Sequence, residues 1–167
     1  NHDSTEEVTD SNGNSYFQYD AGTVRVFEYG TAANPTGWSQ VGGDIDGVAS
    51  SELFGSAVAM SADGNRIVVG NSPQNYDILS SVRVYEYGTS ANPTDWTQLG
   101  SAIQSSETSY NYMYGNFEKN VAASSDCARV VVAFSKSTGY DEKVVRVFEY
   151  GTTASPSDWT QIGTDMT

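Results

Sequence analysis

Apolar and polar residues alternate along short segments of this chain with the two-residue period of β-strands, not the 3.6-residue period of helices. The pattern is clearest in the middle of the sequence. It predicts a first strand at 54–61, a second at 66–70, a third at 81–87 and a fourth at 96–100. The residues ADGN at 62–65 are typical of a hairpin turn, because Asp-Gly readily adopts the positive φ that a tight turn needs.

The third strand lies in a segment that is written three times. VRVFEYG at 24–30 recurs as VRVYEYG at 82–88 and again as VRVFEYG at 145–151, so successive copies begin 58 and 63 residues apart. Each copy is followed by a tryptophan at the same distance: Trp38, Trp96 and Trp159. Repetition with this period indicates an array of one supersecondary unit, in which each unit buries its core by stacking on its neighbours.

Four antiparallel strands in a unit of about 60 residues predict an all-β fold built from β-propeller blades. One face of the third strand carries Val82 and Val84 and the other carries Tyr85 and Tyr87, as expected for a blade covered on both sides. This four-strand repeat divides the chain into an acidic polar loop or leader at 1–20, a half blade at 21–43, and complete blades at 54–103 and 117–166. Since propellers have at least about four blades, we expect other chains or remaining blades of the same protein to complete the ring.

The net charge of the chain argues against some classes of function. The chain has 21 acidic and 8 basic residues, a net charge of −13. So few cations argue against binding to nucleic acid or to an anionic membrane surface, and no apolar run approaches the roughly 20 residues that cross a bilayer. The composition favours an acidic, soluble protein that is extracellular or halotolerant, and we predict an extracellular or cell-surface location. Because the sequence begins at Asn1 within the repeat pattern, we expect a processed or incomplete part of a longer protein.

Several motifs resemble the FG-GAP repeat. Phe54-Gly55 matches the opening of that repeat, WTQLG at 96–100 matches its Trp-x-Gln-x-Gly phrase, and DIDG at 44–47 matches its inter-blade phrase. FG-GAP repeats build the seven-bladed propeller of integrin α subunits and many secreted proteins of algae and marine bacteria. The resemblance covers roughly residues 21–166, and it implies a propeller fold with an extracellular adhesion or scaffold role.

Two departures limit what the resemblance implies. The third copy reads Phe117-Glu118 where Phe-Gly is expected. The Asp-x-Asp-x-Asp-Gly calcium loop of integrin repeats is replaced by the short turns at 62–65 and 125–128, which have too few oxygen ligands for a cation that prefers six to eight. Calcium binding is therefore not carried over, and we expect no metal site and no cofactor.

The loops predict a ligand surface. In a propeller, the loops from strand four to strand one and from strand two to strand three open on the same rim. The first kind contains an insertion at 105–116, and the second kind has a Tyr-Asp pair before each third strand. The candidate residues are Tyr19, Asp20, Tyr76, Asp77, Tyr110, Tyr112, Tyr114, Tyr140 and Asp141. Tyrosine rings with carboxylates suit carbohydrate or protein recognition; the alternative is that these residues brace turns and pack on a neighbouring blade.

Three other residue types invite a chemical interpretation. The repeated Arg and Glu lie on opposite faces of the third strand, so we predict interblade contacts such as Arg25 with Glu86 or Arg83 with Glu28. The three tryptophans could be sugar platforms, but their fixed position favours packing. Cys127 replaces Gly64 in the hairpin turn, where we expect an exposed thiol able to form an intermolecular disulfide.

An enzyme is disfavoured, and we predict no catalytic residue. The only histidine is His2, beside a terminus, which leaves Ser-His and Cys-His chemistry and zinc without a partner. A glycosidase carboxylate pair stays open as a distant alternative. The predicted function is an extracellular structural or adhesion module that mediates protein–protein contacts. The main alternative is a carbohydrate-binding propeller with extracellular glycans as partners.

Overall fold

The computed structural model of the chain is all-β. It describes residues 6–9, 15–18, 21–73, 79–104, 121–135 and 143–167, with the backbone alone for 6–9, 15–18, 134, 135 and 143. The described residues form strands and turns, with no helix among them. The predicted all-β class is confirmed.

The described residues form fifteen strands. They are β1 (Glu6–Thr9), β2 (Ser15–Gln18), β3 (Thr23–Val24), β4 (Phe27–Thr31), β5 (Asn34–Gln40), β6 (Ile45–Asp46), β7 (Ala57–Met60), β8 (Arg66–Gly70), β9 (Ser81–Tyr87), β10 (Trp96–Gln98), β11 (Ile103–Gln104), β12 (Val121–Ala123), β13 (Arg129–Ser135), β14 (Lys143–Thr152) and β15 (Ser155–Met166). The predicted second and third strands of the middle unit are observed with their predicted bounds. The first and fourth are shorter than predicted.

Pairing groups β3 to β15 into three successive repeats, and β1 pairs only with β2. The second repeat is an antiparallel sheet in the order β10-β9-β8-β7, with β11 also paired to β9. The third repeat has the same order, β12-β13-β14-β15. In the first repeat β3 pairs with β6 and β4 with β5, which reproduces the last two strands of the other sheets in two short pieces. These sheets are all open, and none closes on itself.

A carboxylate holds the turn between the first and second strands of a repeat. Asp63 accepts hydrogen bonds from the Ser61 hydroxyl at 2.6 Å and from the backbone N–H of Asn65 at 3.1 Å. These donors stabilise the ionised form and lower the pKa of Asp63 below its ordinary value. Gly64 supplies the left-handed conformation with φ +75°. The third repeat has the same arrangement, with Ser124 donating to Asp126.

The apolar core lies between the repeats, in two clusters. The first, between repeats one and two, contains Val26, Ile45, Phe54, Ile67, Val69 and Trp96. The second, between repeats two and three, contains Val68, Val82, Val84, Ile103, Cys127, Val130 and Val132. Strand β8 contributes Ile67 and Val69 to one cluster and Val68 to the other, because its side chains alternate. Strands β8 and β9 are therefore covered on both faces, as predicted, whereas Val58 and Met60 of β7 are 59% and 51% exposed.

The segment expected to be a polar loop contains strands. Residues Glu6–Thr9 and Ser15–Gln18 pair antiparallel as β1 and β2, with Glu6 opposite Gln18. Both segments contain β-branched or aromatic residues, which favour strands over loops.

Candidate functional site

The rim residues predicted from the sequence lie outside the described residues. These are Tyr19, Asp20, Tyr76, Asp77, Tyr110, Tyr112, Tyr114, Tyr140 and Asp141. The ends of two of the loops are described. In the second sheet Ser81 pairs with Gln104 and Val82 pairs with Gly70, so the segments after Gly70 and after Gln104 leave the sheet from the same end. The course of the two loops beyond these strand ends, and with it the predicted rim, lies outside the described residues.

A buried glutamate organises that end of the second repeat. Glu52 is fully buried in the loop between β6 and β7. Its Oε2 accepts from the N–H of Val48 at 2.6 Å, and its Oε1 accepts from the Asn71 side chain at 3.0 Å and from Arg83 Nη2 at 2.5 Å. Ser51, on one side of Glu52, has φ 62° and Leu53, on the other, has φ 50°. Such left-handed backbone is unfavourable for these residues, so the Glu52 contacts hold the loop in place.

The predicted partners of the repeated arginines are wrong. Arg83 contacts Glu52 instead of Glu28, and Arg25 forms a bidentate pair with Asp44 at 2.8 and 2.6 Å instead of contacting Glu86. The equivalent Arg146 pairs with Asp165 in the same way. The reason is a difference in sequence. The second repeat has Ala102 at the position where the first and third repeats have Asp44 and Asp165. Arg83 therefore has no carboxylate on its own sheet at this position and reaches Glu52.

Two of the three repeated glutamates, Glu86 and Glu149, pair with arginines of their own sheets. Glu86 lies directly opposite Arg66 in the β8–β9 register, and Arg66 donates to Glu86 Oε1 at 2.9 and 2.7 Å. Arg66 Nη1 also donates to the Asp126 carbonyl of the next repeat at 3.1 Å. These contacts are structural: they tie strands within a sheet and the second sheet to the third.

The junctions between repeats repeat the same hydrogen bonds. Trp96 Nε1 donates to the Val41 carbonyl of the preceding repeat at 2.8 Å, and Trp159 Nε1 donates to the Leu99 carbonyl at 2.8 Å. The residue before each tryptophan is an aspartate that accepts from the preceding repeat. Asp95 accepts from Gly43 N–H at 2.7 Å and Asp158 from Ser101 N–H at 2.7 Å. We call this arrangement the Asp-Trp junction.

The tryptophans thus have the predicted packing role at two of their three positions. Trp96 is 8% exposed and contacts Tyr87, with ring centroids 5.3 Å apart. Trp159 packs on Tyr150 in the same way. Trp38 keeps the equivalent contact with Tyr29 but is 67% exposed. The difference arises because a tryptophan at this position is covered by the preceding repeat.

Stability should depend on pH through the junction aspartates. The backbone N–H groups of Gly43 and Trp96 lower the pKa of Asp95 below its ordinary value of 3.8, and those of Ser101 and Trp159 do the same for Asp158. A depressed folded-state pKa contributes stability above the unfolded-state value, and this contribution is lost as the pH falls through the folded-state pKa. We therefore expect the free energy of unfolding to fall as the pH drops below about 4. The Asp95→Asn, Asp158→Asn variant should show a shallower fall in urea titrations between about pH 6 and pH 3, and an unchanged slope would contradict this.

The expected exposure of Cys127 is wrong. Cys127 does occupy the turn position of Gly64, with φ 51°, but its side chain is fully buried in the cluster between repeats two and three. The third repeat's turn lies against the second repeat, where Ala62 N–H donates to the Ser125 carbonyl at 2.7 Å. Burial also raises the pKa of the Cys127 thiol, so little reactive thiolate forms.

The buried thiol should be unreactive in the native protein. At about pH 8 we expect Cys127 to react with Ellman's reagent about 100-fold more slowly than in concentrated urea, because reaction requires local opening of the junction. Stopped-flow absorbance measures both rates. Equal rates would show that the third turn does not lie against the second repeat.

Neither a metal site nor a membrane-spanning helix is found among the described residues. Their His, Cys, Asp and Glu side chains form no group of three or more that could hold a metal ion. The described part of the chain contains no helix with a long enough apolar stretch to cross a lipid bilayer. The geometry that is present is that of arginine–carboxylate pairs and the Asp-Trp junctions, which hold sheets together.

Comparison with known protein families, curated proteins and solved structures finds no match to this chain. The resemblance to FG-GAP repeats therefore depends on the motifs alone.

Sequence reasoning missed Glu52 and the junction aspartates. The aspartates had a signal, since Asp-Trp occurs at 95–96 and at 158–159. For Arg83 the signal was Ala102, which breaks the Arg–Asp pattern of the other two repeats. Glu52 had none, because its loop is not repeated in the same form.

Proposed function

We propose that this chain is a segment of a β-propeller of the FG-GAP type, and that it serves outside the cell as a structural or adhesion module that mediates protein–protein contacts. The observation that carries the proposal is the Asp-Trp junction, made twice with the same hydrogen bonds at the same distances. A junction that is reproduced from repeat to repeat is the property of a stacking array.

The radial arrangement is supported by where the apolar residues lie. Each cluster takes residues from two successive sheets, so a sheet is stabilised only when another sheet covers it. Four antiparallel strands in sequential order, covered on both faces by their neighbours, is the architecture of propeller blades. Two residues of the FG-GAP-like motifs lie where the first and second repeats meet: Phe54 is buried in the first cluster, and Trp96 forms the Asp-Trp junction.

An interaction role fits the chemistry better than catalysis. The charged side chains that lie close together, such as Arg83 with Glu52 and Arg66 with Glu86, are paired ions that link strands and loops. A general acid or base needs an open approach for substrate. The high negative charge keeps such a protein soluble and disfavours non-specific association.

Two measurements on intact cells of the source organism test this function. An antibody raised against the chain should label cells that have not been permeabilised. Cross-linking on those cells, followed by mass spectrometry, should join peptides of this chain to peptides of other protein chains. Labelling that requires permeabilisation would contradict the extracellular role. Release of the protein from the cell surface by free sugars would favour the carbohydrate-binding alternative.

The alternative, a carbohydrate-binding propeller, is favoured by one sequence observation: tyrosines and aspartates concentrate in the loops that leave one end of the sheets. Under this alternative the purified chain binds a glycan array, and Tyr110→Ala combined with Tyr112→Ala abolishes binding with an unchanged melting temperature. Binding that survives the double substitution would contradict a role for these rings.

A further inference from the structure

The two ends of the array present complementary apolar faces. The first repeat exposes Phe27, Tyr29 and Trp38, whose equivalents in the second repeat pack toward the first repeat. The third repeat exposes Ile162 and Met166, which are 39% and 49% accessible and whose equivalents in the second repeat, Leu99 and Ile103, pack toward the third repeat. We call these the front face and the back face. Val48, Val58 and Met60 are also exposed, but only the front and back faces group exposed apolar residues at positions that are covered in other repeats, and such groups mark interaction surfaces.

Each exposed residue has a buried or covered equivalent inside the chain. The front-face residues correspond to Tyr85, Tyr87 and Trp96, which pack against the first cluster or belong to it. On the back face, Met166 corresponds to Ile45 and Ile103, both buried at the internal junctions. Ile162 corresponds to Val41 and Leu99, whose carbonyls accept from Trp96 and Trp159. The same side chains are therefore covered wherever a neighbouring repeat is present.

Gly163, next to Ile162, has open space where the equivalent glycines of the other repeats meet a neighbouring repeat. A Cβ at Gly42 would lie 2.7 Å from the Trp96 ring, and one at Gly100 would lie 3.0 Å from the Trp159 ring. A Cβ at the equivalent Gly163 has no atom within 4 Å. All three glycines have φ between 70° and 72°. The back face therefore has the backbone shape that receives a tryptophan at the other two junctions.

We propose that copies of this chain associate head to tail, with Trp38 of one copy docked on Ile162 and Gly163 of the next. The indole N–H of Trp38 donates to the Ile162 carbonyl, as Trp96 and Trp159 do to Val41 and Leu99. The proposal rests on the proposed function, since it extends the stacking of repeats across a chain boundary. Such an interface is heterologous, so it forms rings or filaments and not a symmetric dimer.

Two features make this contact weaker than the internal junctions. The first repeat has Gly37 where the other repeats have Asp95 and Asp158. It therefore lacks the carboxylate that accepts from the N–H of Gly43 or Ser101 at the internal junctions. The net charge of −13 also makes copies repel one another. We therefore expect reversible association that strengthens as salt screens the repulsion.

Replacing Gly37 by aspartate should strengthen association. Gly37 does not have a positive φ, and the nearest atoms to a Cβ built there all belong to the flexible Asn34 side chain. The second repeat already combines the equivalent Asn92 with Asp95. The added carboxylate should accept from the Thr164 N–H of the next copy and lower the concentration for half-association about tenfold.

The decisive experiment uses two half-blocked variants in sedimentation velocity. Trp38→Ala removes the front-face donor, and Gly163→Ala places a methyl group where the indole docks. We expect the wild-type mass to rise with concentration and each variant alone to remain monomeric. An equimolar mixture of the two should form a dimer and nothing larger, because only one pair of intact faces remains. Gly64→Ala is the matched control: Gly64 has φ +75° and open space around its Cβ, but lies on neither end face, so its association should equal that of the wild type.

Three results would overturn the proposal. These are a monomer at all concentrations for both the wild type and Gly37→Asp, association of the half-blocked variants that equals the wild type, or a mixture that stays monomeric while the wild type associates. Failure here is distinguishable from failure of the proposed function. A monomer that is still destabilised by loss of Trp96 retains stacked repeats and lacks only the contact between copies.

Discussion

Replacing Trp96 by alanine is expected to lower the free energy of unfolding by about 3–5 kcal/mol, whereas the same change at Trp38 should cost less than about 1 kcal/mol. The two residues occupy the same position in successive repeats and make the same contact with a tyrosine. They differ in burial, because Trp96 is covered by the first repeat and donates to the Val41 carbonyl. Its removal leaves a cavity in the first cluster and an unsatisfied carbonyl.

Urea unfolding followed by circular dichroism measures both changes. The proteins should be kept dilute, so that any association through Trp38 does not contribute to stability. Trp96→Phe separates packing from hydrogen bonding: it keeps much of the apolar area but loses the donor, so an intermediate loss is expected. Equal losses for Trp38→Ala and Trp96→Ala would show that the repeats do not stack through this position.

The parts of the fold that repeat could be predicted from the sequence. The bounds of Arg66–Gly70 and Ser81–Tyr87 follow from alternation, β-branched residues and the Asp-Gly turn, which are local properties of the chain. Burial of β8 and β9 on both faces follows from their apolar residues together with the position of the second sheet between two other copies. A propeller would require these sheets to be arranged around a common axis, and the sequence indicates that arrangement only through the likeness of its repeats.

The failures concern contacts between elements. The predicted turn position of Cys127 is correct. The exposure of its side chain depends on the second sheet, which lies against this turn and which the local sequence does not reveal. The arginine partners were predicted from the faces of one strand, although the register puts Arg66 directly opposite Glu86. In both cases the local assignment was sound, and the neighbour that decides the contact is remote in the sequence.

Replacing Glu52 by alanine should destabilise the chain by about 3–5 kcal/mol, since it removes one partner of a buried ion pair. The side chains of Arg83 and Glu52 are 11% and 1% exposed, and Arg83 Nη1 has no hydrogen-bond partner within the described residues. Without Glu52 the guanidinium keeps its position over the Phe54 ring, 5.2 Å from the centroid, but loses its counter-charge. The Val48 N–H also loses its acceptor, and the left-handed residues beside Glu52 lose the contacts that hold them.

The matched control for Glu52 is Asp44, which pairs with the equivalent arginine of the first repeat. Arg25 and Asp44 are 40% and 37% exposed, so Asp44→Ala should cost much less than Glu52→Ala. Urea unfolding of both variants measures the difference. Arg83→Met combined with Glu52→Gln should be less destabilising than the sum of the two single changes, because no unpaired buried charge remains. Additive effects, or equal losses for Glu52→Ala and Asp44→Ala, would show that the Arg83–Glu52 pair is not buried and does not fix the loop between the first and second repeats.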